Sequence, residues 1–435
     1  MSSTVSSTVS PTSPTVSPIM FCLPYAGGGA AAYNGLQREL AGRTDLTVVA
    51  LQLPGRENRI AEPPAFTIGE VADEVAAHLT GGQPYVLYGH SMGARLAFEV
   101  VRELRRRGLP QPSRLYAGGA HAPDRKVPLA AGADLPDDSF IDALVRRSGA
   151  LPELRNVPEL RELMLPVLRA DFAWIKHYRY TPEPPIDSPI VAFTGLDDGE
   201  VGPADMLGWA RHTTSGFRLR TLRGGHLFVK DRPAELAALI AADLAAEHDP
   251  PEPDELHLWM DRRSGPAGGD PALPRHYRGR ASVSHADGLT LAAIAHEPGI
   301  GVAVLRGLDR PYPLGEPDPA LAELSGDERE QIEDAAEEDR QWLALRAVTA
   351  KRALMAAVGQ EADPTLVSFP DLADPGPWRA RPGQGPDRLD RLDRLDRWQV
   401  VHLPLHTSRG EALGAVAVPY DRVRLRFDMP AEQAG

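Results

Sequence analysis

From about Met20 to Glu247 the chain alternates short apolar runs with longer amphipathic ones, and this rhythm constrains the fold more than any other feature. "IMFCLP", "LTVVALQLP", "PYVLYGH", "SRLYAGGA" and "PIVAFTG" read as strands. "AAYNGLQRELAG", "IGEVADEVAAHLTG", "ARLAFEVVRELRRRG" and "PAELAALIAADLAAEH" read as helices. Strands that are apolar throughout need cover on both faces, so a parallel sheet between helices is expected. A helical insert from Asp137 to Trp174 interrupts the rhythm between the fourth and fifth strands, as a lid or one more covering layer. "EHDPPEPDE" then punctuates the chain with proline and acids, the pattern of a linker. Beyond it, from Leu256 to Phe427, "ASVSHADGLTLAAIA" and "GVAVLRG" read as strands and Asp327–Val358 as one long helix-like segment.

At 435 residues the chain exceeds one typical domain, which fits this two-part division. Its net charge of -13 provides no general basic surface for nucleic acid. No apolar run reaches the length of a membrane span. The single cysteine, Cys22, precludes an internal disulfide and a Cys-rich metal site; within "IMFCLP" it reads as a buried, inert thiol. "MSSTVSSTVSPTSPTVSP" is uncharged and lacks the basic start and apolar middle of a secretory signal, so it reads as a flexible tail, with Met20 an alternative start and the cytoplasm the default location. The tandem "DRLDRLDRLDR" (Asp387–Arg397) reads as a solvated insertion.

"YVLYGHSMGARLAFEV" joins an apolar strand, a G-x-S-x-G sequence and an amphipathic helix. That context places Ser91 on a sharp strand-to-helix turn, with Gly89 and Gly93 leaving room for it. A serine hydroxyl is a poor nucleophile at neutral pH and needs a base, itself oriented by a carboxylate. The chain order in this arrangement is Ser, then Asp or Glu, then His. "TGLDDGEVG" follows the strand "PIVAF" and offers Asp197 and Asp198; Asp198, directly before the turn, is the preferred acid, and Asp197 shapes the loop. "LRGGHLFV" offers His226 as the base. Aspartate in a glycine-rich turn is often only turn chemistry, but three such residues in the required order are not readily a coincidence. The oxyanion of a tetrahedral intermediate needs two N–H donors. Met92, just after the serine, supplies one, and Ala26 in the loop "LPYAGGGAAAY" is the candidate for the other. That loop lacks the G-x-G-x-x-G of a dinucleotide site. His90 points awkwardly for base duty, and His121 in "GGAHAPD", after a strand, reads as structural, with lining of the pocket as the alternative.

"FCLPYAGGG", "LQLPGREN", "YGHSMGARLAFE", "LPVLRADF" and "GGHLFV" together resemble the type II thioesterases of polyketide and nonribosomal peptide assembly lines. The resemblance implies an α/β-hydrolase fold with a helical lid. It implies hydrolysis of acyl groups stuck as thioesters on the phosphopantetheine arm of an acyl or peptidyl carrier protein. It also implies nucleophile Ser91, base His226, acid Asp198 and oxyanion donors Ala26 and Met92, with no cofactor or metal. "PGRE" (Pro54–Glu57) is a landmark of the family to which no chemical role is assigned. A general carboxylesterase with the same triad is one alternative.

The region from Leu256 to Val418 resembles the core of phosphopantetheinyl transferases, through "ASVSHADGLTLAAIA", "GIGVAVLRG", "RAVTAKRALMAAVGQ" and "WQVVHLPLHTSRGEALGAVAV". Ala303, Leu305 and Arg352 stand where that family carries acidic magnesium ligands, and a hard cation needs oxygen ligands. His285 and Lys351 survive as candidate phosphate contacts. The implied unit is a smaller α+β, degenerate and inactive transferase-like domain, either retaining recognition of carrier protein or coenzyme A or serving as a structural appendage. Phosphopantetheinyl transferase activity, or carrier-protein docking, by this C-terminal region is the other alternative. The expected division is a tail over 1–19, the hydrolase over 20–247 with its lid at about 137–174, a linker over 248–255, the second unit over 256–427 and a tail over 428–435.

Overall fold

The computed structural model describes residues 17–79, 82–148, 152–245, 255–261, 280–286, 289–295, 300–307, 318–358, 363–373, 378–382, 398–407, 410–418 and 424–429. Residues 1–16 of the expected tail, 248–254 of the expected linker and the Asp387–Arg397 repeat lie outside the described residues.

Strand β1 (Ile19–Leu23) is buried along its whole length. Successive side chains of a strand leave opposite faces, so Phe21 and Leu23 enter one apolar core while Met20 and Cys22 enter another. Around it lie β2 (Thr47–Ala50), β3 (Tyr85–His90), β4 (Arg114–Gly118), β5 (Ile190–Gly195) and β6 (Phe217–Leu222), in the order β2-β1-β3-β4-β5-β6 and all parallel. The covering helices in chain order are α1 (Asn34–Ala41), α2 (Ile68–His78), α3 (Met92–Arg106), α4 (Asp137–Ser148), α5 (Pro158–His177), α6 (Pro203–Leu207), α7 (Phe228–Asp231) and α8 (Pro233–Leu244). Leu36 and Leu40 of α1 and Leu236 and Ile240 of α8 cover the Met20 face. Val71 and Val75 of α2 and Leu96 and Val100 of α3 cover the Phe21 face. A capping box fixes the start of α2: Thr67 Oγ1 accepts from the Glu70 N–H, and Glu70 accepts from the Thr67 N–H at 2.8 Å. No helix among the described residues is long and apolar enough to cross a membrane.

The five expected strands all form, and β6, "FRLRTL", is an addition. Alternating arginines hide it in the sequence. Arg218 pairs with Asp243 and Arg220 with Asp428, so charges that argue against a buried strand are neutralised by elements distant in sequence.

The later region extends this sheet. In chain order its strands are β7 (Glu255–Asp261), β8 (Arg280–Ala286), β9 (Leu289–Ala295), β10 (Gly301–Leu305), β11 (Val367–Ser368), β12 (Trp378–Arg379), β13 (Arg381–Pro382), β14 (Gln399–Thr407), β15 (Gly410–Val418) and β16 (Arg424–Met429). β16 pairs antiparallel with β6, Phe427 opposite Leu219, and the sheet continues through β7, β9 and β8. Leu258, Met260, Leu403 and Leu405 join the same apolar cluster as Phe21 and Phe98. A second antiparallel sheet, β10-β15-β14-β12, packs on α10 (Glu337–Val358), with Ala347, Val348 and Leu354 against Val400, Ala415 and Ala417.

The expected long helix is two, α9 (Gly326–Asp334) and α10. Ala335 between them is extended, with ψ 161°. The run "EDAAEED" explains the break: acids are unfavourable at a helix C-terminus and favourable at the next N-terminus.

Candidate active site

Ser91 caps α3 with φ 53° and ψ -116°, a positive φ that a non-glycine residue adopts only under local constraint. The constraint is the crossing of strand and helix. A Cβ on Gly89 would stand 2.1 Å from the Gly93 carbonyl oxygen, and one on Gly93 would stand 2.1 Å from that of Leu23, so both positions admit only glycine. The Ser91 N–H donates to Gly118 O at 2.7 Å and fixes the turn.

His226 and Asp198 arrive from loops at the C-terminal ends of β6 and β5. His226 Nε2 lies 3.1 Å from Ser91 Oγ, and His226 Nδ1 lies 2.9 Å from Asp198 Oδ2. A carboxylate only accepts, so Nδ1 carries the proton and Nε2 is left to accept from the serine. Asp198 Oδ1 accepts from the Glu200 and Val201 N–H groups at 2.8 and 3.0 Å. Burial pushes the Asp198 carboxyl up, but the His226 bond and charge and these two N–H donors outweigh it and hold it below the usual range. Asp197 instead donates its N–H to Gly224 O at 2.9 Å, bracing the histidine loop.

His90 has a role the sequence did not disclose. Its Nε2 lies 2.6 Å from the His226 carbonyl, and its Nδ1 lies 3.2 Å from the Tyr88 hydroxyl. Burial first, and His226 beside it second, push it down to about 3, so the ring is neutral; Nε2–H donates to the carbonyl and Nδ1 accepts from Tyr88. His90 thus holds the backbone of His226. No pattern signal distinguishes it from any other residue inside the elbow.

The serine opens onto a cavity. Tyr25, Ala26 and Met92 line it near Ser91, while Leu144 of α4 and Leu168, Phe172 and Ile175 of α5 form an apolar wall. Among the described residues the N–H groups of Ala26 and Met92 meet no protein acceptor. His121 also lines the cavity. Its Nδ1 lies 3.3 Å from Asp205, and its Nε2 lies 3.8 Å from Glu200, an ionic separation rather than a hydrogen bond. Burial lowers the imidazole, but Asp205 and then Glu200 raise it more, to about 9.

The transferase-like positions lie on β8, β10 and α10. Lys351 is fully buried, with Nζ 2.9 Å from the Glu328 carboxylate and 2.6 Å from Pro364 O, which corrects the expectation that it contacts a phosphate. The reason is its helix face: α10 turns this position into the core. Arg352 pairs with Glu323 at 2.8 Å, His285 Nδ1 lies 2.8 Å from Thr290 Oγ1, and Ala303 is buried in the second core. Among the described residues no three His, Cys, Asp or Glu side chains converge as metal ligands.

The parallel sheet between helices and the serine elbow at the end of its third strand define an α/β-hydrolase-like protein. A family profile described as a thioesterase domain matches residues 18–244, just over half of the chain. The chain is 35% identical over 233 residues to the linear gramicidin dehydrogenase LgrE of Brevibacillus parabrevis, covering 52% of this chain and 87% of that one. It is 31% identical over 239 residues to the thioesterase PikA5 of Streptomyces venezuelae, covering 54% and 83%. Among solved structures, ClbQ from the colibactin NRPS/PKS pathway is 27% identical with a TM-score of 0.50, covering 53% of this chain and 98% of that one. The chain belongs to the thioesterase family and is a hydrolase acting on thioesters.

Proposed function

We propose that the enzyme serves a polyketide or nonribosomal peptide assembly line, hydrolysing aberrant acyl groups from the phosphopantetheine arm of an acyl or peptidyl carrier protein. The observation that carries this reading is the line Ser91–His226–Asp198 beneath an apolar cavity walled by α4 and α5. Relatives named for gramicidin and for the colibactin pathway support the setting.

Ser91 Oγ attacks the thioester carbonyl while His226 Nε2 takes its proton. The oxyanion lies against the Ala26 and Met92 N–H groups. As it collapses, the C–S bond breaks and the pantetheine sulfur leaves as thiol with the proton from His226. Water, deprotonated by the same imidazole, then releases the acid and frees Ser91. The segment 137–174 acts as the lid that sets acyl selectivity. The organisation that accompanies this reading is a hydrolase unit followed by a degenerate transferase-like unit, acting in the cytoplasm; the expected bounds shift, because Ile19 opens β1, Glu255 opens β7, and Asp428 and Met429 close β16 instead of beginning a tail. The continuous sheet and shared core favour a structural role for the second unit, and the internal use of Lys351 speaks against phosphate binding.

The test is release of a short acyl group from acylated holo carrier protein by the full chain and by Ser91→Ala. We expect turnover by the wild type and a loss on the order of 10⁴-fold or more in the variant. Release of simple acyl esters but not of carrier-bound thioesters would favour a general carboxylesterase. A gain in mass of apo carrier protein with coenzyme A would restore transferase activity as a reading.

A further inference from the structure

The "PGRE" loop is the landmark that the mechanism leaves unused, and it is built around the glycine loop that carries Ala26. Arg56 and Asp171 are both buried, 5% and 0% exposed, and pair through two parallel bonds: Nη1 to Oδ2 and Nη2 to Oδ1, each 2.9 Å. Asp171 lies on α5, the helix whose Leu168, Phe172 and Ile175 wall the cavity. The same Asp171 Oδ2 accepts from the Gly27 N–H at 2.7 Å, one residue beyond Ala26, and Arg56 Nη1 also donates to Gly28 O at 3.0 Å.

The rest of the loop is held by residues that flank Arg56 in sequence. The Ala30 N–H donates to Gln52 Oε1 at 2.7 Å, and the Ala31 N–H donates to Glu57 Oε1 at 3.1 Å. Glu57 adopts φ 49°, a strained value for a side-chain-bearing residue that places its carboxylate under Ala31. Gly27, at φ 77°, passes so close to α5 that a Cβ there would lie 2.6 Å from Leu168 Cδ2. Loop and helix are therefore in direct contact through both apolar and charged groups.

We propose that Arg56 and Asp171 are positioning residues that latch the Ala26 loop to α5, so that seating the lid helix and assembling the oxyanion hole are a single event. The carboxylate fixes the direction of the Gly27 peptide, and through it the adjoining Ala26 peptide. The guanidinium cannot leave Asp171 without also releasing the Gly28 carbonyl. A bidentate pair specifies angle as well as distance, which is what an N–H donor aimed at a developing oxyanion requires. This inference rests on the assignment of Ser91 as nucleophile and Ala26 as donor, but not on the identity of the carrier-bound substrate.

The experiment uses the full chain, Asp171→Asn and Arg56→Lys, and an alkylboronic acid as probe. Ser91 Oγ bonds to boron, its proton passes to His226 Nε2, and the boron becomes a tetrahedral anion that needs the oxyanion donors. Melting curves identify folded variants. In a folded variant we expect kcat and boronate affinity to fall together by about 10- to 100-fold, less than complete loss of a donor would cause, with KM changed less than about threefold. Boronate binding should slow amide exchange in both 26–31 and 158–177 in the wild type, and in the loop alone in Asp171→Asn. Wild-type kcat and boronate affinity in either folded variant would overturn the latch, as would a change confined to KM. Failure of the wild type to cleave acyl carrier protein while boronate binding behaves as expected would overturn the proposed substrate instead.

Discussion

Around Ser91 the geometry is set by which atom of each neighbour faces inward. Asp198 and Asp197 are adjacent in sequence, and it is the Asp198 carboxylate that lies 2.9 Å from His226 Nδ1. Asp198→Asn should lower kcat/KM by roughly 10⁴-fold, by favouring the wrong imidazole tautomer, whereas Asp197→Asn should cost far less; thioester hydrolysis by the two purified variants decides the assignment. His121 gives a prediction in pH. Its folded-state value, about 9, lies above the unfolded value near ~6.5. Its contribution to stability is therefore complete below the unfolded value and is lost as pH rises towards 9. His121→Gln should flatten the change in unfolding midpoint between about pH 6.5 and 9. An unaltered slope in urea melts over that window would reject the charged imidazole.

Elements meet at a charged seam as well as at apolar faces. Asp428 on β16 receives Arg220 of β6 at 2.7 Å and His257 of β7 at 2.6 Å, which joins the two parts of the chain across one carboxylate. Burial raises this carboxyl, but Arg220, His257 and Arg426 hold it well below the usual range. Asp428→Ala leaves Arg220 with no counterion in this seam, so unfolding free energy should drop by about 3–5 kcal/mol. Equal urea midpoints for variant and wild type would show that the seam is dispensable. The α/β rhythm, five strands and the elbow helix were legible in the sequence because their apolar runs are local. β6 was not, because Arg218 and Arg220 make sense only beside Asp243 and Asp428. The division of α9 from α10 was carried by the acids themselves, but a pattern of apolar spacing does not register it.

One long sheet runs through both parts of the chain. Cutting after residue 245 would strip β16 from β6, expose its edge and uncover Phe217, whose ring packs 6.1 Å from that of Phe427. An open edge beside bare apolar surface invites self-association. A chain ending there should therefore elute as aggregates or melt lower than the full chain, and a monomeric product with the full-chain melting point would refute the shared core. The serine elbow, the order of Ser91, Asp198 and His226, and the covered parallel sheet were legible along the chain, because each depends on residues close together in it or on their order. Folding in three dimensions brings His90 to the His226 carbonyl, ties Arg56 and Asp171 to the Gly27–Gly28 loop, turns Lys351 inward and lays the second region along the first one's sheet. Those outcomes depend on hydrogen bonds and packing between segments tens to hundreds of residues apart, and local spacing does not encode which distant partners meet.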